Sequence, residues 1–98
     1  MHYSRHIIKK YRKKYTELSK RLYYIQQGQN YILFLEHKLE NAFSRFKIYS
    51  ELNIETHLRH QIVDYCNFIQ KEIKQVKIDI QAQEYLITAI VISFHAKK

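Results

Sequence analysis

A chain of 98 residues with no proline and a single glycine has almost nothing with which to break a helix. Folds built from many strands need turn residues at every reversal, and this chain lacks them. The expected class is therefore all-α. The one glycine, in Ile25-Gln26-Gln27-Gly28-Gln29-Asn30, decides how many helices there are.

The hydrophobic pattern has a period of seven. Tyr11, Leu18, Ile25, Ile32, Leu39 and Phe46 form one column in the first half. A second column taken four residues later reads Tyr15, Leu22, Gln29, Glu36, Phe43 and Ser50. Spacings alternating between four and three mark the seam of a coiled coil or helical bundle. In the second half, Ile62, Ile69, Val76, Gln83 and Ile90 make one column, and Cys66, Ile73, Ile80, Ile87 and Phe94 the other. Neither half alternates every two residues for long, as a strand would. The Ile-Val-Ile run within 86–94 also suits a strand by composition, but helix is the preferred reading.

Between the halves lies Ser50-Glu51-Leu52-Asn53-Ile54-Glu55-Thr56, where the chain is expected to reverse. Ser50 or Asn53 would cap the new helix, with Glu55 favourable in its first turn. At Gly28 two readings stand. Gly28 ends one helix and Asn30 starts another, giving a three-helix bundle. Otherwise the helix runs through, at a cost of about 1 kcal/mol relative to alanine. The column Leu18, Ile25, Ile32, Leu39 keeps its phase across the glycine. A turn has no reason to preserve phase, so run-through is preferred. The expectation is one domain: a coiled-coil-like antiparallel hairpin with a helix over about 5–51, a turn at 51–55 and a helix over about 55–97.

Gln29 and Glu36 interrupt the first-half seam. Buried polar residues there would set register. The preferred reading is that they point to solvent.

A chain this short buries only about 60–65% of its unfolded surface, so its core is thin and a partner can supply missing burial. Residues 31–35, Tyr-Ile-Leu-Phe-Leu, are apolar all round a helix, as is most of 86–92. A two-helix hairpin cannot cover such segments. Tyr31, Phe34, Leu35, Leu86, Val91 and Phe94 are therefore the candidate partner-binding residues. The expected remedies are a protein partner or a second copy of the chain.

Charge is concentrated at one end. Residues 1–21 carry Arg5, Lys9, Lys10, Arg12, Lys13, Lys14, Lys20 and Arg21 against Glu17 alone, and the formal net charge of the whole chain is +8. Such a basic coat suits nucleic-acid phosphates through counterion release, an acidic protein, or a membrane surface. Nine tyrosines and five phenylalanines serve cores, interfaces and base stacking alike.

Chemistry finds little purchase. His2/His6 and His57/His60 have pairwise spacing, but zinc needs at least three protein ligands. One glycine makes no phosphate loop. Cys66 sits on a seam column, where a thiol acts as a small hydrophobe. No cofactor, metal or catalytic residue is expected. A lone cysteine fits a reducing compartment, and no apolar signal core follows Met1, so a cytoplasmic setting is expected. The most apolar segment, Tyr85–Phe94, is half the length of a membrane span of about 20 residues.

No motif is matched residue by residue. In shape and charge the expected hairpin resembles the stalk subunits of type III secretion and flagellar export, and small helical secretion chaperones. Both implied roles are roles of binding. The sequence thus leads to a non-enzymatic interaction subunit, with a nucleic-acid-binding module worked by the basic end as the alternative.

Overall fold

The computed structural model describes residues 5–95. Helix α1 spans Arg5–Glu51 and helix α2 spans Thr56–His95, and the described residues contain no strand. At 1.5 Å per residue the two arms run about 70 and 60 Å. They lie antiparallel, in a rod only 16 × 14 Å across. No helix is long and apolar enough to cross a membrane among the described residues.

The reversal falls where the sequence places it, but by a different device. Asn53 adopts φ 54°, the left-handed conformation that asparagine tolerates better than most residues. The Ile54 N–H donates to the Tyr49 carbonyl at 2.9 Å and the Asn53 N–H to the Ser50 carbonyl at 3.2 Å. These two bonds are a Schellman closure, which satisfies carbonyls that the end of α1 would leave orphaned. Asn53 therefore ends α1 rather than capping α2, and Ser50 lies inside α1. The Glu55 carbonyl accepts from the N–H groups of Leu58 at 3.1 Å and Arg59 at 3.4 Å. Glu55 is thus the residue flanking α2, not a member of its first turn.

Helix α1 runs unbroken through Gly28, whose φ is not positive. Its role is in packing. A Cβ added there would meet Cδ1 and Cγ1 of Ile80 at 3.0 Å and Cγ1 of Val76 at 3.6 Å. Gly28 is a seam residue that lets α2 approach, which explains why the heptad keeps its phase across it.

In α2 the observed seam is the expected one. Cys66, Ile69 and Ile73 are buried, and Ile62, Val76, Ile80, Gln83, Ile87, Ile90 and Phe94 are partly so. In α1 the column Leu18, Ile25, Ile32, Leu39, Phe46 faces inward as expected, but its companion is not the column four residues on. Tyr15, Leu22 and Phe43 stand in solvent, Leu22 at 52% exposure. The true companion lies three residues on: Lys14, Arg21, Gly28, Leu35, Ala42 and Tyr49, all buried or partly buried. The two candidate columns are neighbours on the helix surface, about 100° apart. Greater apolarity favours the wrong one. Small residues at 28 and 42 and the long stems of Lys14 and Arg21 make the right one.

This shift accounts for Gln29 and Glu36. Both belong to the solvent column and are exposed, as preferred from the sequence. It also corrects Leu35. Expected on the partner-facing surface, it is 5% exposed and belongs to the core with Ile32, Ile69 and Ile73. Leu39, Val76 and Ile80 pack against that cluster.

Candidate interaction surface

The seam register fixes which residues flank it. One step before the members of the Leu18 column stand Glu17, Tyr24, Tyr31, Lys38 and Arg45. On α2 the corresponding positions are Leu58, Tyr65, Glu72, Asp79 and Leu86. These flanks lie on the same side of the hairpin, since Tyr24 shares a cleft with Asp79, and Lys38 and Arg45 share a groove with Leu58 and Tyr65. Tyr15, Leu22 and Phe43, with Val63 and Val91 of α2, belong to the opposite side.

The sequence-chosen partner residues therefore do not form one patch. Tyr31 and Phe34 come together on the first side, their rings stacked with centroids 6.4 Å apart and planes 20° from parallel. The Lys38 ammonium lies over the Phe34 ring, 4.8 Å from its centroid. Leu86 is on the same side, toward the open end of the hairpin. Val91 is on the other side. Phe94 lies at the end of the seam, where Lys14 Nζ sits 5.2 Å from its ring centroid. It also lines a shallow cleft with Arg12, Tyr15 and Thr16. Tyr31 and Phe34 remain accessible, at 41% and 53% exposure.

The basic end divides in two. Lys9, Arg12, Lys13 and Lys20 are exposed. Lys20 Nζ lies 5.9 Å from the Tyr24 ring centroid. Lys14 and Arg21 turn inward instead. Lys14 Nζ donates to Ser93 Oγ at 3.0 Å across the seam. Arg21 donates to Gln83 Oε1 at 2.9 Å and pairs with Glu17 at 2.7 Å. These two cations link α1 to α2 across the seam. The side chains of Arg5 and Lys10 lie outside the described residues.

The remaining chemistry is sparse. Among the described residues no three histidine, cysteine or acidic side chains gather to hold a metal ion; His2 of the first histidine pair lies outside them, as does the side chain of His6. His57 Nδ1 lies 3.3 Å from Glu55 Oε2, both exposed. Burial pushes the Cys66 thiol above its ordinary value of 9.0, keeping it neutral and unreactive near pH 7.

What sequence reasoning missed is the extent of the apolar surface. Tyr23, Ile48, Phe68 and Ile78, outside the two segments that the sequence singles out, are also exposed. Their signal is compositional: there are more large apolar residues than two helices can place in one seam. No family model, curated protein or solved structure matches the chain.

Proposed function

We propose that this protein is a non-enzymatic interaction subunit whose apolar flanks are covered by protein in a larger assembly. One observation carries the reading. Among the described residues, eighteen large hydrophobic side chains are exposed and only six hydrophobic residues are buried. The hairpin exposes 8308 Å² in all. A globular monomer of its 12.1 kDa mass exposes about 6,000 Å². The excess, roughly 2,300 Å², is on the scale that large, permanent interfaces bury. The stacked Tyr31–Phe34 pair is the kind of aromatic anchor that contributes most at such interfaces.

Nucleic-acid binding through the basic end is the weaker reading. With Lys14 and Arg21 engaged across the seam, the exposed cations there among the described residues are Lys9, Arg12, Lys13 and Lys20, few for a site that relies on counterion release.

The test is affinity purification of the chain from its own cells, beside a Phe34→Ser/Val91→Ser variant. The wild type should retain a stoichiometric protein, foreign or a second copy. The variant should lose it, with unchanged helicity by circular dichroism because both side chains are exposed. A wild-type monomer with no stoichiometric protein would sink the reading. Nucleic acid retained instead, and lost on Lys9/Arg12/Lys13→Gln, would establish the alternative.

A further inference from the structure

Near the turn, the flank that carries the Tyr31–Phe34 stack opens into a groove between the helices. One wall is cationic: Lys38 and Arg45 of α1, with Asn41 between them. The other is Leu58, Gln61 and Tyr65 of α2. The floor is Ala42 and Ile62. Ala42 is a seam residue, and its small side chain, set among Leu, Ile and Phe neighbours, keeps that floor low. No carboxylate lines the groove. Neither Lys38 nor Arg45 has a salt-bridge partner among the described residues.

The spacing of the walls is that of a helix. Lys38 and Arg45 are seven residues apart, about 10.5 Å along the axis. Leu58 and Tyr65 repeat the same interval on the opposite wall. A third helix laid in the cleft of a helical pair meets both walls at this repeat. It would present carboxylates seven residues apart to Lys38 and Arg45, and an apolar stripe to Ala42, Ile62, Leu58 and Tyr65. The carboxamides of Asn41 and Gln61 would meet polar groups at its edges.

We propose that this groove takes an acidic amphipathic helix of a different protein, completing a three-helix bundle at the closed end. The proposal rests on the reading of the chain as an interaction subunit and names the chemistry of its partner. Two cations make a poor track for nucleic acid, whose binding proteins neutralise many phosphates in a row. A second copy is the poorer occupant too. Its only acidic pair at seven-residue spacing, Glu72 and Asp79, has its apolar companions Ile73 and Val76 already in the seam, which leaves exposed Gln75 between the two acids on this flank.

The experiment uses the full chain and a synthetic 21-residue helical peptide. The peptide carries Glu at two positions seven apart, beside a leucine stripe; a matched peptide carries Lys at the same two positions. Fluorescence anisotropy should show the Glu peptide binding, with affinity falling between 50 and 200 mM salt. Lys38→Glu/Arg45→Glu should weaken the Glu peptide at least about tenfold and strengthen the Lys peptide correspondingly. That exchange of preference is a readout that a merely structural role for the two cations does not produce. Equal binding of both peptides by wild type, or no binding, would overturn the proposal, while retention of protein in the Phe34/Val91 test would leave the broader reading intact. Two further results would also overturn it. One is tighter binding of duplex DNA, lost in the same variant. The other is a change in the oligomeric state of the variant by sedimentation velocity.

Discussion

The half of the hairpin next to the turn and the half at its open end have the same backbone but different interiors. Among the described residues, the six buried hydrophobic ones all lie at 32–42 of α1 and 66–73 of α2: Ile32, Leu35, Ala42, Cys66, Ile69 and Ile73. Toward the open end the seam carries Lys14, Arg21, Gln83 and Ser93, and no described residue there is fully buried. One half is joined by fully buried hydrocarbon; in the other, half-buried Leu18, Ile25, Ile87 and Ile90 share the seam with hydrogen bonds reached over long stems. Apolar burial is worth far more per residue than a half-exposed hydrogen bond. The closed half therefore holds the fold, and the open half sets how far up the rod the helices stay paired.

The largest effects should fall in the closed half. Ile69, 1% exposed, is its most buried side chain. Ile69→Ala should cost about 2–5 kcal/mol, enough to abolish a cooperative urea transition in so small a chain. The same truncation at half-buried Ile87 should cost clearly less. Equal costs at the two sites would dissolve the contrast between the halves.

Gly28 marks the boundary between them. Gly28→Leu would drive a side chain into Ile80 and part the helices above that point, at a cost of about 1–3 kcal/mol. Amide exchange should accelerate through residues 14–25 and 80–93 and stay slow through 32–42 and 66–73. Uniform acceleration would show that the hairpin opens as one unit.

A smaller effect is expected within the open half. Arg21→Ala removes the contacts to Gln83 and Glu17, and should cost about 0.5–1.5 kcal/mol by urea titration. Arg21→Leu combined with Gln83→Leu should be neutral or stabilising, but should let the arms slip in register. Spin labels placed on the two arms would report that slippage as a broadened distance distribution.

The smallest effect is a pH dependence in the closed half. The folded Cys66 thiol holds its proton above the ordinary value of 9.0, so the unfolded chain loses its proton first as pH rises. Stability from this group is complete below about pH 9 and falls as pH climbs from there through the raised folded value. The wild type should lose more stability between pH 7 and 10 than Cys66→Ala, whose other titrating groups are the same. Parallel losses in the two proteins would mean that the burial of Cys66 carries no protonation linkage.

Much of this fold is legible before any coordinates. With no proline and one glycine, the chain has no helix breakers and few residues for the repeated turns of a strand-built fold, so long helices are the expected outcome. The α2 columns read correctly since ten seam positions, Ile62 to Phe94, contain one polar residue, Gln83. The reversal at 50–56 is visible because the heptad lapses there among polar residues. On the candidate surface, Tyr31, Phe34 and Leu86 were recognisable as apolar residues in excess of the seam. The groove at Lys38 and Arg45 was not, since it depends on which α1 flank faces α2.

That facing is what the tertiary structure decided. By hydropathy alone, Leu22 and Phe43 outrank Arg21 and Ala42 as seam residues. Packing reverses the order because α2 brings branched side chains close to Gly28, where an added Cβ would already lie 3.0 Å from Ile80. Rotation of α1 by one column then buries Leu35, turns Gln29 and Glu36 to water, and directs Lys14 and Arg21 inward. Asn53 shows the same limit in the backbone: its type suits either helix end, and the hydrogen bonds to Tyr49 and Ser50 assign it to the close of α1. A sequence by itself fixes which residues prefer burial. The shape of the partner helix selects which of two neighbouring columns obtains it, because close packing rewards fit as well as apolarity.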